Sequence, residues 1–596
     1  MADNAFSRFI FNNQNGVNKA MKALSLIASL TSLVVLAYYY GFPHTPERER
    51  IIIGGFQGIF SIYILSFSLR LLFTLHRFDF IRHNWFEGLL MVLMLYDIVS
   101  LYLFGVPVLN NTFRRLGFEN FTLVYLVFIQ FYLLLFVGID AVKVSVYLSR
   151  LKIKTPAVFG LSFIILIFIG ALLLMMPEMT TIEGSMGFLD ALFTSVSASC
   201  VTGLIVVDTA TFFSFKGHLV IMILFQIGGI GIITFALFFA LFLRNGAGIQ
   251  SQNTLKEMLN TANLVASKDL LKQVIGLTFF IEAIGAFLIY TLIGDVVKGA
   301  DRVFYSIFHS ISAFCNAGFS LFSNGLYQDV LREKYYLHIV VAAIIFFGSL
   351  GFPAIQDVFG IKALRERMRY PWKDWRLSTK ISLYSSVGLI FIGAVLYFFL
   401  EQENTLKGVS NFGQVTASIF QSVTTRTAGF NSVDFGQLAA PTLIMMVLFM
   451  FIGASSASTG GGIKTSTFIV IFLSAFATIR NRKQIEIYGR TLSTELLNRA
   501  LTIFLFAASY IFIASFILSI TDSDKDPLKI LFETVSAFCT VGLSTGITAD
   551  FSTIGKVILM ISMYLGRVGI LTLIVALSTA TRTKNYTYPN AHLMIG

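Results

Sequence analysis

The chain has three cysteines, and each stands three residues before a glycine. The segments are Cys200-Val201-Thr202-Gly203, Cys315-Asn316-Ala317-Gly318 and Cys539-Thr540-Val541-Gly542. Arg426-Thr427-Ala428-Gly429 is a fourth, looser copy with arginine in the place of the cysteine. The glycines lie 115, 111 and 113 residues apart, and a fixed motif at a fixed period is the mark of a repeat architecture. No segment carries a nucleophile with a base beside it. The chemistry on offer is that of the backbone. Glycine permits a turn that aims successive carbonyls along one line, and the small residues before it let the strand extend. Rings of such carbonyls replace the hydration shell of a cation. Four segments meeting around one axis would make that ring.

The elements that must position these segments lie in a membrane. Of 596 residues 56% are hydrophobic and 13% charged, 62 are phenylalanine, and the mean hydropathy is +0.78. Apolar runs near 20 residues recur, and each can cross a hydrocarbon core about 30 Å thick. The net charge of +12 sits in short loops between spans, which fits cytoplasmic loop placement and excludes a nucleic-acid partner. The cysteines give neither zinc spacing nor a disulfide framework, and read as small packing residues behind the segments. Residues 1–20 read as a cytoplasmic tail ahead of a retained first span, with no cleavable signal peptide.

The expected fold is an all-α polytopic membrane protein with five parts. Residues 1–150 form about four spans, near 22–41, 51–75, 85–107 and 120–147, without the motif. Asp97, Asp140 and Arg70 lie in or at the edges of those spans, as a packing pair or as functional charges. Four units follow, 151–250, 251–365, 366–485 and 486–596, each a span, a half-helix, a glycine segment and a second span. The half-helices are typified by Phe188–Ala198, about three turns or roughly 15 Å, which enters a membrane without crossing it. Their carbonyl ends would point at the pore and favour a cation there. The basic links 361–380 and 480–500 belong inside, so the glycine segments open outward. Their flanks carry Glu178, Glu183, Asp208, Glu401, Glu403, Asp434, Asp522, Asp524 and Asp526, either a cation-concentrating rim or scattered solvated acids.

Two further features fall at membrane depth. Ile452–Thr465 interrupts the second span of unit three with Gly453, Ser455, Ser456, Gly460, Gly461, Gly462 and Lys464. So many glycines and hydroxyls make no comfortable lipid-facing helix; the stretch is a kinked helix or a mobile loop beneath the segments. A nucleotide P-loop needs glycine directly before the lysine, where Ile463 stands. Arg567 is mid-span and must face water or a partner, such as the mid-span Glu282.

Taken together the motifs resemble those of the Trk/Ktr/HKT superfamily of potassium transporters, most nearly the Trk/Ktr membrane subunit. The resemblance covers residues 150–596. It rests on Val201-Thr202-Gly203-Leu204, Gln226-Ile227-Gly228-Gly229-Ile230-Gly231, Phe347-Gly348-Ser349-Leu350-Gly351-Phe352-Pro353, Thr424-Thr425-Arg426-Thr427-Ala428-Gly429-Phe430, Ser458-Thr459-Gly460-Gly461-Gly462-Ile463-Lys464-Thr465 and Gly566-Arg567-Val568-Gly569. It implies a carbonyl filter at the four segments, potassium selection from glycine in all four, and an intramembrane gate at residues 453–465. It also implies a flux-setting charge at Arg567, a membrane homodimer and a cytoplasmic nucleotide-binding regulatory subunit, with no nucleotide site in this chain. The third segment departs from the pattern, being one residue short between Phe420 and Gly429. Other readings are a sodium or weakly selective pathway, which glycine in unit one opposes, and a carrier of inverted repeats, which direct repeats oppose. A membrane-embedded enzyme would need a His, Cys or paired-carboxylate cluster, and His309 stands without one.

Overall fold

The structure, a computed structural model, describes residues 2–43, 45–74, 77–85, 88, 91–92, 155–181, 186–243, 267–482, 484–570, 572 and 574. The chain divides into two compact units, Met1–Lys152 with Met176–Ser185, and Ile153–Met175 with Met186–Gly596. In the first, α1 (Ala2–Gly41) and α2 (Pro46–Leu72) precede the short α3 (Arg77–His83). The expected tail is not a separate segment. Residues 2–20 continue the helix of the first span, because nothing between Ala2 and Gly41 breaks it. Ser29 and Tyr63 join α1 to α2 through their hydroxyls at 2.6 Å. Arg70 is buried and donates to the Ser66 carbonyl. Asp97, Asp140 and the third and fourth expected spans lie outside the described residues.

The second unit contains the four motif-bearing stretches. Unit one has α4 (Thr155–Leu174), α5 (Phe188–Ser199) and α6 (Phe215–Leu243). Unit two has α7 (Ser267–Leu292), α8 (Ala300–Cys315) and α9 (Tyr335–Leu350), then α10 (Phe352–Phe359) and α11 (Ile361–Arg369). Unit three has α12 (Leu377–Glu401), α13 (Asn411–Thr424), α14 (Ala440–Phe451) and α15 (Thr465–Ile479). A hairpin of β1 (Ile485–Ile487) and β2 (Arg490–Leu492) leads to unit four, with α16 (Thr494–Thr521), α17 (Pro527–Phe538) and α18 (Thr553–Val568). Among the described residues six helices are long and apolar enough to cross a membrane, or seven if the bent α9–α10 pair counts as one. The half-helices α5, α8, α13 and α17 have 12, 16, 14 and 12 residues, so the longest spans about 24 Å and none bridges the hydrocarbon core.

The expected continuous second span of unit two is broken. Gly351 takes φ 91°, a conformation that glycine alone enters without strain, and Pro353 starts α10, which turns 105° from α9. Gly569 ends α18 in the same way at φ 87°.

Burial explains how the units hold together. The phenylalanines Phe193, Phe308, Phe420 and Phe532 occupy the same position of the four half-helices and are all buried. Each packs in an apolar cluster shared by two units. One cluster joins units one and two through Phe225 and Phe308, another units two and three through Phe314 and Phe420. A third joins units three and four through Met446 and Phe532. The fourth, with Phe193, Leu518 and Met563, closes unit four onto unit one. Asp190 of α5 and Lys556 of α18 bridge that last seam at 3.0 Å.

Candidate functional site

The half-helices end at the glycine segments, and their backbones there are unusual. Val201, Asn316, Thr427 and Thr540 have φ of 58°, 59°, 70° and 50°. Three of these are β-branched, for which left-handed backbone costs about 1–2 kcal/mol each. Two residues on, Gly203, Gly318, Gly429 and Gly542 are at φ 94°, 71°, 77° and 88°. A strand would alternate its carbonyls from side to side; left-handed residues at every second position turn them toward one side instead.

Hydrogen bonds from the half-helices impose this shape. The N–H groups of Thr202, Ala317 and Val541 donate to the carbonyls of Ser197, Ser312 and Ser536, five residues back, at 2.7–2.8 Å. The hydroxyls of the same serines finish the turn. Ser197 and Ser536 accept from the Gly203 and Gly542 N–H at 3.1 Å, whereas Ser312 donates to the Phe319 carbonyl at 2.8 Å. In the shortened third segment Thr424 takes the serine's place, donating to the Phe430 carbonyl at 2.7 Å. Its carbonyl accepts from Ala428 only four residues on, which absorbs the missing residue and leaves Gly429 in register.

The four glycines form a closed ring. A Cβ on Gly203 would stand 2.5 Å from the Ala317 carbonyl oxygen, one on Gly318 3.0 Å from that of Ala428, and one on Gly429 2.5 Å from that of Val541. A Cβ on Gly542 would collide with the Thr202 carbonyl, which returns the circuit to unit one. Outside the ring is a cavity of about 130 Å³ lined by all four glycines with Asp208, Asn324, Asn431 and Ser544. Among the described residues Asp208 is the one expected rim acid that lines it, and it also caps the turn Thr209–Phe212 through the Ala210 N–H.

The candidate residues ahead of the glycines divide by direction. Cys200, Cys315 and Cys539 are buried free thiols; Cys315 donates to Gln226 Oε1 at 3.1 Å and packs against Gly229 of α6. Arg426 is 1% exposed, and none of its guanidinium nitrogens has a hydrogen-bond partner among the described residues. Asn316, Thr427 and Thr540 are likewise buried, with side-chain atoms that have no partner among the described residues.

The loop between α14 and α15 lies against those side chains. A Cβ on Gly460 would collide with Thr427 Oγ1, and one on Gly461 with Thr540 Oγ1. Thr459 fixes this position, its Oγ1 donating to the Phe314 and Gly348 carbonyls at 3.0 Å. Lys464 ties the loop to itself through the Gly460 carbonyl at 2.6 Å, and Gly453 N–H bonds the Ile463 carbonyl. Gly462, at φ 69°, packs on Gly453. Ser455 and Ser456 do not reach the glycine ring. Ser455 N–H bonds the Ser349 carbonyl, and Ser456 is exposed and bonds Ser466.

Arg567 has a different partner from the acid considered above. It donates to the Thr459 carbonyl of the loop, and to the Gly228 carbonyl of α6 at 2.6 Å. Glu282 instead accepts from Gln226 Nε2 at 3.0 and 3.1 Å. Motif residues whose own roles the sequence does not reveal are Thr459, the loop's clamp, and Gly228, Gly348 and Gly566, which let second spans touch the half-helix ends at Ser199, Phe314 and Phe538. Their shared GxxG spacing was the available signal.

Residues 132–587 match the TrkH family, described as cation transport protein. The chain belongs to that family. The chain is 37% identical to Ktr system potassium uptake protein B of Bacillus subtilis (strain 168) over 447 residues, 75% of this chain and 97% of the relative. It is 34% identical to potassium/sodium uptake protein NtpJ of Enterococcus hirae, over 75% of this chain and 98% of the relative. The crystal structure of the potassium transporter TrkH from Vibrio parahaemolyticus shares the fold at TM-score 0.57 and 21% identity, covering 81% of this chain and 98% of that one. This TrkH-family chain is therefore a multi-pass, all-α membrane protein.

Proposed function

We propose that the chain carries potassium into the cell across the plasma membrane, by channel-like passage through a filter of backbone carbonyls. The ion ligands in this reading are carbonyls of Cys200–Gly203, Cys315–Gly318, Arg426–Gly429 and Cys539–Gly542. The observation that carries it is the closed circuit in which each glycine abuts the carbonyl before the next. The short helices aim their carbonyl ends at the same place, where a cation is favoured. Gly453–Lys464 is the gate, pressed by Gly460 and Gly461 against the inner end of the filter and latched by Arg567. The five parts given above, 1–150, 151–250, 251–365, 366–485 and 486–596, are the working division of the chain, with no enzymatic activity and no nucleotide of its own.

The relatives named for the Ktr system support a regulatory partner, a cytoplasmic nucleotide-binding subunit that we place on the cytoplasmic links of a membrane homodimer of this chain. Link 361–380 exposes Trp372 and Met368 (79% and 77%) among its arginines. Lys373 there holds the Glu366 carboxyl below its usual range by hydrogen bonding to it. A second reading, passage of sodium as well, draws on the name of the Enterococcus relative. Rubidium uptake in a potassium-uptake-deficient cell, compared between the parent and Gly203→Ser, separates the two. Parent uptake that resists sodium, and a mutant that shifts toward sodium, support a potassium filter at Gly203. Parent uptake that sodium suppresses equally favours the second reading, and a parent that moves neither ion, even with a regulator supplied, refutes both.

A further inference from the structure

The residue directly after the buried phenylalanine of each half-helix is Thr194, His309, Gln421 or Glu533. All are buried. In three units this side chain reaches across to the strand just outside the filter glycine. His309 Nδ1 lies 2.7 Å from the Tyr305 carbonyl, which can only accept, so Nδ1 carries the proton and Nε2 is an acceptor. Nε2 then receives the Leu321 N–H at 3.3 Å and the Ser320 hydroxyl at 3.1 Å. Gln421 Nε2 donates to Ser432 Oγ at 3.0 Å. Glu533 accepts from Ser544 Oγ at 2.7 Å, Thr545 N–H at 2.8 Å and Thr548 Oγ1 at 2.7 Å.

Unit one lacks both halves of this arrangement. Thr194 bonds the Asp190 carbonyl of its own helix, and the strand beyond Gly203 offers Ile205 and Val206 where the other units offer hydroxyls.

We propose that His309, Gln421 and Glu533 are positioning residues that fasten three sides of the filter from behind and so hold the carbonyl ring at a fixed aperture. The strand of unit one, held by Ser197 at Gly203 but without such a brace beyond it among the described residues, is the side that yields. In each braced unit bonds attach two or three residues beyond Gly318, Gly429 and Gly542, with Thr548 adding one farther along, so the glycine carbonyls cannot close on a smaller ion without breaking them. Replacing a hydration shell by carbonyls discriminates between cations only while the ring resists that closure. This proposal rests on the reading of the glycine ring as a potassium filter.

The test uses the full chain, purified, with thermal unfolding followed against potassium and sodium titrations to give an apparent affinity for each. Glu533→Leu removes all the bonds of its brace and is expected to narrow the potassium-to-sodium affinity ratio at least about tenfold, the lower end of what a single charge-assisted bond contributes. Glu533→Gln keeps a carbonyl acceptor for Ser544 and Thr545 and is expected to retain the parent ratio. Gln421→Leu, which breaks one neutral bond, narrows the ratio a few-fold and serves if Glu533→Leu does not fold. A parent selective for potassium, with Glu533→Leu or Gln421→Leu equally selective although less stable or less abundant, would overturn the bracing role alone. A parent with no preference between the ions would overturn the filter reading and the braces with it.

Discussion

Removing the Arg567 guanidinium should open the pore. Its donor to the Thr459 carbonyl is a charge-assisted bond across the interior of the second unit, from α18 to the loop, and its other arm rests on the Gly228 carbonyl of α6. One bond of this kind contributes about 1.5–3 kcal/mol. The other holds on Thr459 are unaffected: its N–H to Gly348 at 3.2 Å and its hydroxyl to Phe314 and Gly348 at 3.0 Å. The loop therefore keeps most of its attachment and loses one bond, which shifts a closed–open equilibrium about ten- to a hundredfold at 1.4 kcal/mol per decade. The perturbation is Arg567→Met, of similar length and with no donor. The assay is rubidium flux into proteoliposomes containing equal amounts of protein, where abundance cannot mimic a change in rate. Arg567→Lys separates charge from latch, because an ammonium keeps the charge but cannot fork between two carbonyls. It should fall between the parent and the methionine variant. Flux through Arg567→Met at or below that of the parent would refute the latch.

Three other outcomes are expected. Gly429→Ala should, like Gly203→Ser, distort the ring and let sodium suppress rubidium uptake at normal membrane abundance, since its Cβ would stand 2.5 Å from the Val541 carbonyl at a φ of 77°; unchanged rate and selectivity would place the ion path elsewhere. Glu401→Ala should cost about 1–3 kcal/mol for each buried donor it leaves unsatisfied, read as a lower unfolding temperature in detergent, because its buried carboxyl receives the Ala439 N–H, Thr442, Asn404 and Thr405. Arg426→Met should raise the unfolding temperature and leave uptake in place, since a buried charge whose guanidinium has no partner among the described residues is replaced by apolar volume; a lower temperature would point to a partner this geometry does not give.

The membrane class, the spacing of the four glycine segments and the break in unit three could all be read from one dimension. Each depends on local composition: apolar runs, glycine at a fixed period, and too many glycines and hydroxyls for a helix at 453–465. The shortened third segment was visible too, but not its remedy, because a switch from five- to four-residue bonding at Thr424 appears only when the backbone is in place. The direction of a side chain was equally out of reach. Arg567 and Glu282 looked like partners because both are charged and mid-span, yet their partners are set by which helix faces which, and that is a property of packing. The α9–α10 bend hid in a run apolar enough to pass as one span, since hydropathy does not register a glycine's φ.

By itself the sequence determined that this chain crosses a membrane and repeats one helix–half-helix–helix pattern, because hydrophobicity and glycine spacing act over a few turns of chain. Only the tertiary structure decided that the fourth unit closes on the first. That closure lies in contacts between residues more than 300 apart, such as Asp190 with Lys556 and Gly542 with Thr202, which no local pattern encodes.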